Sequence, residues 1–335
     1  REFSRNVENF KAFDESDNPL PVQKINKNTW RVSASDQNTV IARYKVYANE
    51  VSVRTSALNA SHGFVSGTSV FMYIHGEINR PLHLKVEPFP EWKKVSTGLQ
   101  EMPGEEFHYT APGYDVLADS PLEIGNHQVW EFTAAGLPHE VAMYGNGNYN
   151  QEKIVRDLAK IAAASTDVFG DNPNEKYVFI VHNLDSRGGG LEHLNSTALQ
   201  VDRWNYQPHS SYLGFLGLAA HEYFHLWLVK RLRPISLGPF NYEKENYTHL
   251  LWVMEGFTSY YDELLLYRTG FFEESEYLGK LAGSINSIEN RPGNNVQPVA
   301  MASFDAWIKS YRPDENSINT TVSYYTKGAV LAALL

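Results

Sequence analysis

His221-Glu222-Tyr223-Phe224-His225 stands inside an apolar run from Tyr212 to Val229 and has the form H-E-x-x-H. Residues four apart lie on one face of a helix, so His221 and His225 can present two imidazole nitrogens to a single metal ion. Glu222 sits beside them and can reach a metal-bound water without being a ligand. The flanks favour a helix: no glycine or proline falls between Leu218 and Arg233, and Pro234 stops the pattern. The plain alternative is a core helix that happens to carry two of the chain's 12 histidines. A third ligand decides between the two.

A zinc peptidase site takes three protein ligands and leaves a fourth position open for water. The next long helical segment is Leu250 to Thr269, reading LLWVMEGFTSYYDELLLYRT, with Gly270 as its C-terminal stop. On it Leu251, Met254 and Glu255 share a face with Thr258, Ser259 and Asp262. Glu255 has Val253, Met254 and Phe257 as neighbours, where an unpaired carboxylate is costly and a metal removes the cost. The alternative is a partly exposed glutamate paired to Arg231 or Arg233. The reading is one Zn²⁺ per chain on His221, His225 and Glu255, with Glu222 as general base and Ser259 as a partner of one zinc-bound histidine.

HEYFHLWLVKRLRP followed by LWVMEGFTSYYDELLLYR resembles the glycyl aminopeptidase family of zinc metallopeptidases, a gluzincin family distantly related to the aminopeptidase N family. Both share the H-E-x-x-H…E-G-F arrangement. The 29 residues between His225 and Glu255 are more than the aminopeptidase N pattern has, and similar to the glycyl aminopeptidase one. The likeness is specific over residues 187–335 and general before that. Carried over residue by residue, it implies further roles. Gly189-Gly190-Leu191-Glu192-His193 resembles the G-x-M-E-N segment whose glutamate holds the substrate's free amine, with His193 where asparagine is usual. Tyr325-Thr326-Lys327-Gly328 matches Y-x-K-G, whose tyrosine hydrogen-bonds the developing oxyanion, and Tyr324 is its adjacent competitor. The resemblance also implies a preference for N-terminal Gly or Ala, and a PDZ-like domain after the catalytic region, for which this chain has no residues.

The rest of the chain sets bounds. It has 335 residues, 42% hydrophobic and 20% charged, enough for two domains with real cores. A net charge of −10 argues against a nucleic-acid backbone as partner. No basic run suggests a membrane surface, and the longest apolar stretches, such as LGFLGLAA, fall short of the ~18 residues a span needs. With no cysteine there are no disulfides and no thiolate-held metal, which leaves the compartment open. The first residue is Arg1 and no targeting segment is legible, while YYTKGAVLAALL ends inside an apolar helical pattern and reads as part of a longer protein.

Residues 1–125 read as a β-rich N-terminal domain: TWRVSAS, TVIARYKVYA and LHLKVEP alternate between turn signals. Residues 126–335 read as the catalytic domain. VWEFTAA and HEVAMYG are short strands, Tyr149 to Phe169 an amphipathic helix and KYVFIVHNL a buried strand. Arg187-Gly188-Gly189-Gly190 lacks the spacing of a phosphate cradle, so the glycines are assigned to close backbone approach of a peptide along a sheet edge. Residues 199–210 read as a polar connection, Lys230, Arg231 and Arg233 as a solvated helix end or a substrate-carboxylate site, and residues 304–309 as a short helix.

The expected fold class is α+β, a β-rich N-terminal domain followed by a thermolysin-like zinc metallopeptidase domain. The expected function is an aminopeptidase acting on peptides with a free N-terminus. A zinc endopeptidase of the same fold and a catalytically silent peptide-binding scaffold are the alternatives.

Overall fold

The computed structural model describes residues 2–186 and 188–335, so Arg187 of the glycine-run reading lies outside the described residues. Contacts divide the chain into two units. One contains residues 1–95 and 99–126; the other contains 96–98 and 127–335.

The first unit is built of short antiparallel strands. Pro19–Leu20, Val7–Phe13 and Ile41–Val46 form one sheet in that order, and Val22–Asn26 pairs with Thr29–Val32. Gln100–Glu101, His108–Ala111 and Leu82–Lys85 form another, and Ala57–Leu58, His62–Val65 and Leu122–Gly125 pair in that order in a fourth. Alternation of apolar and polar residues leaves one face of such sheets dry. Phe64, Leu99, Tyr109 and Leu122 supply the largest fully buried side chains there.

The second unit carries a five-stranded mixed sheet. Its strands are β1 (Gln128–Ala134), β2 (Leu137–Tyr144), β3 (Tyr177–Leu184), β4 (Gly189–Glu192) and β5 (Ser196–Asp202), in the spatial order β1-β2-β3-β5-β4. The β2-β3 and β3-β5 pairs are parallel; β1-β2 and β4-β5 are antiparallel, so β4 is a sheet edge. β3 is central and buried from Tyr177 to Asn183, as its unbroken apolar sequence requires. The helices of more than one turn are α1 (Gln151–Phe169), α2 (His209–Phe224), α3 (Leu251–Arg268), α4 (Glu274–Glu289), α5 (Val299–Phe304) and α6 (Tyr324–Leu334). Asn150 caps α1 by accepting from the Lys153 amide, and Gly170, at φ +82°, closes it. Tyr177, Phe179 and Val181 of β3 share one core with Ile154, Leu158 and Ile161 of α1 and Leu216, Ala220 and Tyr223 of α2. The α+β architecture is the one the resemblance implied.

Three local expectations are corrected. α2 stops at Phe224 instead of running to Arg233. The His225 ring bonds the Leu228 carbonyl, and the amides of Lys230 and Leu232 turn back to the carbonyls of His225 and Trp227, which bends the chain out of the helix. Residues 199–202 belong to β5, because Leu199 and Val201 bury in the core between two paired strands. The short helix near 304–309 lies earlier, at Val299–Phe304, opened by Pro298.

Candidate active site

The last turn of α2 and the first turn of α3 bring three ligand atoms into a triangle. His221 Nε2 and His225 Nε2 are 3.1 Å apart, and Glu255 Oε2 is 3.4 Å from the first and 3.3 Å from the second. Tetrahedral zinc with bonds of roughly 2.0–2.1 Å sets its ligands about 3.3–3.4 Å apart. The outer ring nitrogens are already engaged: His221 Nδ1 donates to Asp262 Oδ2 at 2.8 Å and His225 Nδ1 to the Leu228 carbonyl at 2.8 Å. Each Nε2 therefore points at the other and at the Glu255 carboxylate, into a space that favours positive charge, whether a proton or a metal ion.

The electrostatics agree. Burial works against charge on His221, yet hydrogen bonds to Asp262 and Glu255 hold its pKa well above the ordinary value. His225, 1% exposed, is likewise raised against burial, chiefly by Glu255. Burial opposes ionisation of Glu255, but the two imidazoles pull its carboxyl far below the usual range. The residues present fit a zinc ion. Asp262, rather than the expected Ser259, meets His221, and Thr258 Oγ1 lies 3.4 Å from His225 Nδ1. Asp262 stands seven residues after Glu255, two helical turns along the same face, and that spacing was the signal for it.

Glu222 turns toward β4. A Cβ built on Gly190 would lie 2.3 Å from Glu222 Oε1, so only glycine leaves room for this carboxylate beside the strand. Gly189, at φ +130°, holds a backbone conformation that side chains rarely adopt. Strand alternation puts the Glu192 side chain on the same face as that missing Cβ. Oxygens of Glu192 and Glu222 and a nitrogen of His225 all lie within 4.8 Å of one another. Glu222 is 5% exposed and its Oε2 has no hydrogen-bond partner among the described residues. Burial pushes its pKa up to about 7, opposed by His221 and reinforced by Glu192.

Tyr325 lies in the first turn of α6, its ring centroid 6.3 Å from that of His221 at an interplanar angle of 29°. Burial, and then the Glu255 charge, raise its hydroxyl far above the ordinary pKa of 10, so it stays a proton donor. Tyr324, 2% exposed, packs instead with Ala302, Ala306 and Val322. α6 is seated on α3 through two glycines: a Cβ at Gly256 would meet Gly328 Cα at 2.4 Å, and one at Gly328 would meet the Trp252 carbonyl at 2.3 Å. Gly256 follows Glu255 and Gly328 is one turn beyond Tyr325, so this contact sets the spacing between the two functional side chains. Arg231 donates to the backbone carbonyls of Leu194 and Leu226 and to Asn174 Oδ1.

Two family models match the chain: M61 glycyl aminopeptidase over residues 214–331 and the peptidase M61 N-terminal domain over residues 1–126. The chain belongs to the M61 glycyl aminopeptidase family. Among 121 matching chains of solved structures is an aminopeptidase N family protein from Idiomarina loihiensis, 37% identical with a TM-score of 0.95. The match covers 99% of this chain and 58% of that one, so this M61 chain spans somewhat over half the length of that relative. No curated protein matches. His221, Glu222, His225, Glu255 and Tyr325 fall inside the matched M61 span, whereas Glu192 lies in residues 127–213, between the two.

Proposed function

We propose that this chain is the catalytic part of a zinc-dependent aminopeptidase that removes the first residue of peptides with a free N-terminus, with glycine or alanine preferred there. The observation that carries the reading is the ligand triangle at 3.1–3.4 Å with both outer ring nitrogens engaged, facing the Glu192 and Glu222 carboxylates. Zinc held by His221, His225 and Glu255 supplies Lewis acidity for a water and for the scissile carbonyl. Glu222 takes the proton of the attacking water and returns it to the departing nitrogen. Burial and the neighbouring Glu192 both work against its ionisation, which favours its taking up the water's proton. Tyr325 donates to the oxyanion, a contact worth roughly 2.7–4 kcal/mol in comparable sites.

Glu192 distinguishes an exopeptidase from an endopeptidase. A free α-amine, of reference pKa ~7.7–8.0, is largely protonated near neutral pH, while an acetylated or internal nitrogen has no charge to offer a carboxylate. Losing that charge-assisted contact costs about 1.5–3 kcal/mol, or roughly 10- to 150-fold in kcat/KM. The test compares Gly- and Ala-initiated peptides with their N-acetylated forms, for the wild type and Glu192→Ala. The wild type is expected to discriminate by that factor and the variant to lose it. Equal cleavage of free and acetylated peptides by the wild type would refute the aminopeptidase reading in favour of an endopeptidase. Elemental analysis is expected to find one zinc per chain, and less in Glu255→Gln, where a neutral amide replaces an anionic ligand.

A further inference from the structure

Glu192 sits on a strand paired to β5 from Gly189↔Gln200 to Glu192↔Thr197. Among the described residues β4 has one flanking strand, and it begins in a glycine run, Gly188 to Gly190, that restricts the backbone little. Its other end is a tight hairpin, closed by the His193 amide donating to the Ser196 carbonyl at 2.9 Å, with Leu194 and Asn195 at the tip. The place of the paired strands relative to the ligand triangle then depends in part on what holds that tip.

Arg231 holds it. One nitrogen of the guanidinium, Nη1, donates to the Leu194 carbonyl at 3.0 Å and to the Leu226 carbonyl at 2.7 Å. The other, Nη2, donates to Asn174 Oδ1 at 2.6 Å, on the loop before β3. Leu194 is two residues past Glu192, and Leu226 is the residue after His225. A single planar group thus ties the strand bearing Glu192 to the segment bearing His225. Asn195 adds a second tie, donating from Nδ2 to the Gly98 carbonyl at 2.7 Å.

We infer that Arg231 is a positioning residue for this peptidase, fixing how far the amine-binding carboxylate stands from the bond to be cut. The inference rests on the aminopeptidase reading. Lysine cannot replace the fork, because an ammonium on a flexible stem does not reach three acceptors in one plane.

The experiment uses Arg231→Lys and Asn174→Ala in the full-length zinc-loaded protein. Zinc content, melting temperature and turnover of Gly-initiated peptides, free and N-acetylated, are measured, together with hydrogen exchange over residues 188–196. Displacing a reacting group by about 1 Å costs on the order of 100-fold. Arg231→Lys is expected to keep its zinc, to lose roughly 10- to 100-fold in kcat for free peptides with a smaller effect on acetylated ones, and to exchange faster in the hairpin. Asn174→Ala, which removes one leg of the fork, is expected to do the same to a lesser degree. If Arg231→Lys loses activity on free and acetylated peptides in equal proportion, or leaves the wild-type ratio intact, the positioning role is overturned and the aminopeptidase reading stands. If the wild type itself does not discriminate, that reading falls and the positioning role falls with it.

Discussion

At the scale of single residues, the site separates groups that bind from groups that move a proton. Glu222 and Glu255 are both buried glutamates near the same histidines, but Glu255 is pulled far below the usual carboxylate range while Glu222 is pushed up to about 7. Glu222→Gln is expected to keep zinc and fold and to lose most of kcat, since it removes a proton acceptor and no ligand; near-normal kcat would remove Glu222 from the mechanism. A second residue reports on stability. His139 is buried beneath α2, its Nδ1 donating to the Leu137 carbonyl at 2.9 Å and its Nε2 accepting from the Tyr223 hydroxyl at 2.9 Å. Burial depresses its pKa from 6.5 to about 4. The unfolded chain therefore takes up the proton first. His139's contribution is complete above pH 6.5 and declines as the pH falls toward about 4, by roughly 3 kcal/mol in all. Denaturant titrations at pH 7.5 and 4.5 should show this loss in the wild type and little of it in His139→Gln; equal pH dependence in both would show that the ring does not titrate this way.

At the scale of elements, the contact between α3 and α6 joins the ligand helix to the helix bearing Tyr325. Gly256→Ala would drive a methyl to 2.4 Å from Gly328 Cα, so the helices must part. The expected result is a kcat loss well beyond the loss in zinc affinity, because Tyr325 moves while Glu255 keeps its place on α3. A variant with full kcat would show that the spacing is not needed. This contact was invisible in the sequence, where E-G-F and Y-x-K-G are far apart, although both motifs were legible. Legibility followed the range of the cause. α1 could be read because its amphipathic 3.6-residue period is a local signal, and α3 because an unbroken helical stretch ends at the stop glycine Gly270. The end of α2 could not, since it depends on the His225 ring reaching Leu228, and no glycine or proline marks it. Likewise the charge of Arg231 was plain, but its three acceptors come from Leu194, Leu226 and Asn174, distant in sequence from one another.

At the scale of the whole molecule, the fold class followed from the strand-rich first third and the helical remainder, while the strand segment 96–98 gave no sign that it clusters with residues 127–335. Its contacts make it part of that unit's stability. Ser96 Oγ is hydrogen-bonded to His127 Nε2 at 2.9 Å and donates to Glu140, and the Gly98 carbonyl accepts from Asn195. A fragment of residues 127–335 loses all three contacts. Each buried partner deprived of its bond costs about 1–3 kcal/mol, against a total stability of roughly 5–15 kcal/mol for an ordinary domain. Asn195 is also at the tip of the β4-β5 hairpin, so the same cut removes one of the two ties that hold Glu192 in place. The fragment is therefore expected to unfold at a much lower denaturant concentration than the full chain. Where it stays folded and zinc-loaded, it should discriminate less between free and acetylated peptides. Asn195→Ala in the full chain isolates the second effect from the first, since it leaves Ser96 and its partners untouched. A 127–335 fragment with the full chain's midpoint and the full chain's discrimination would show that residues 96–98 contribute nothing to either.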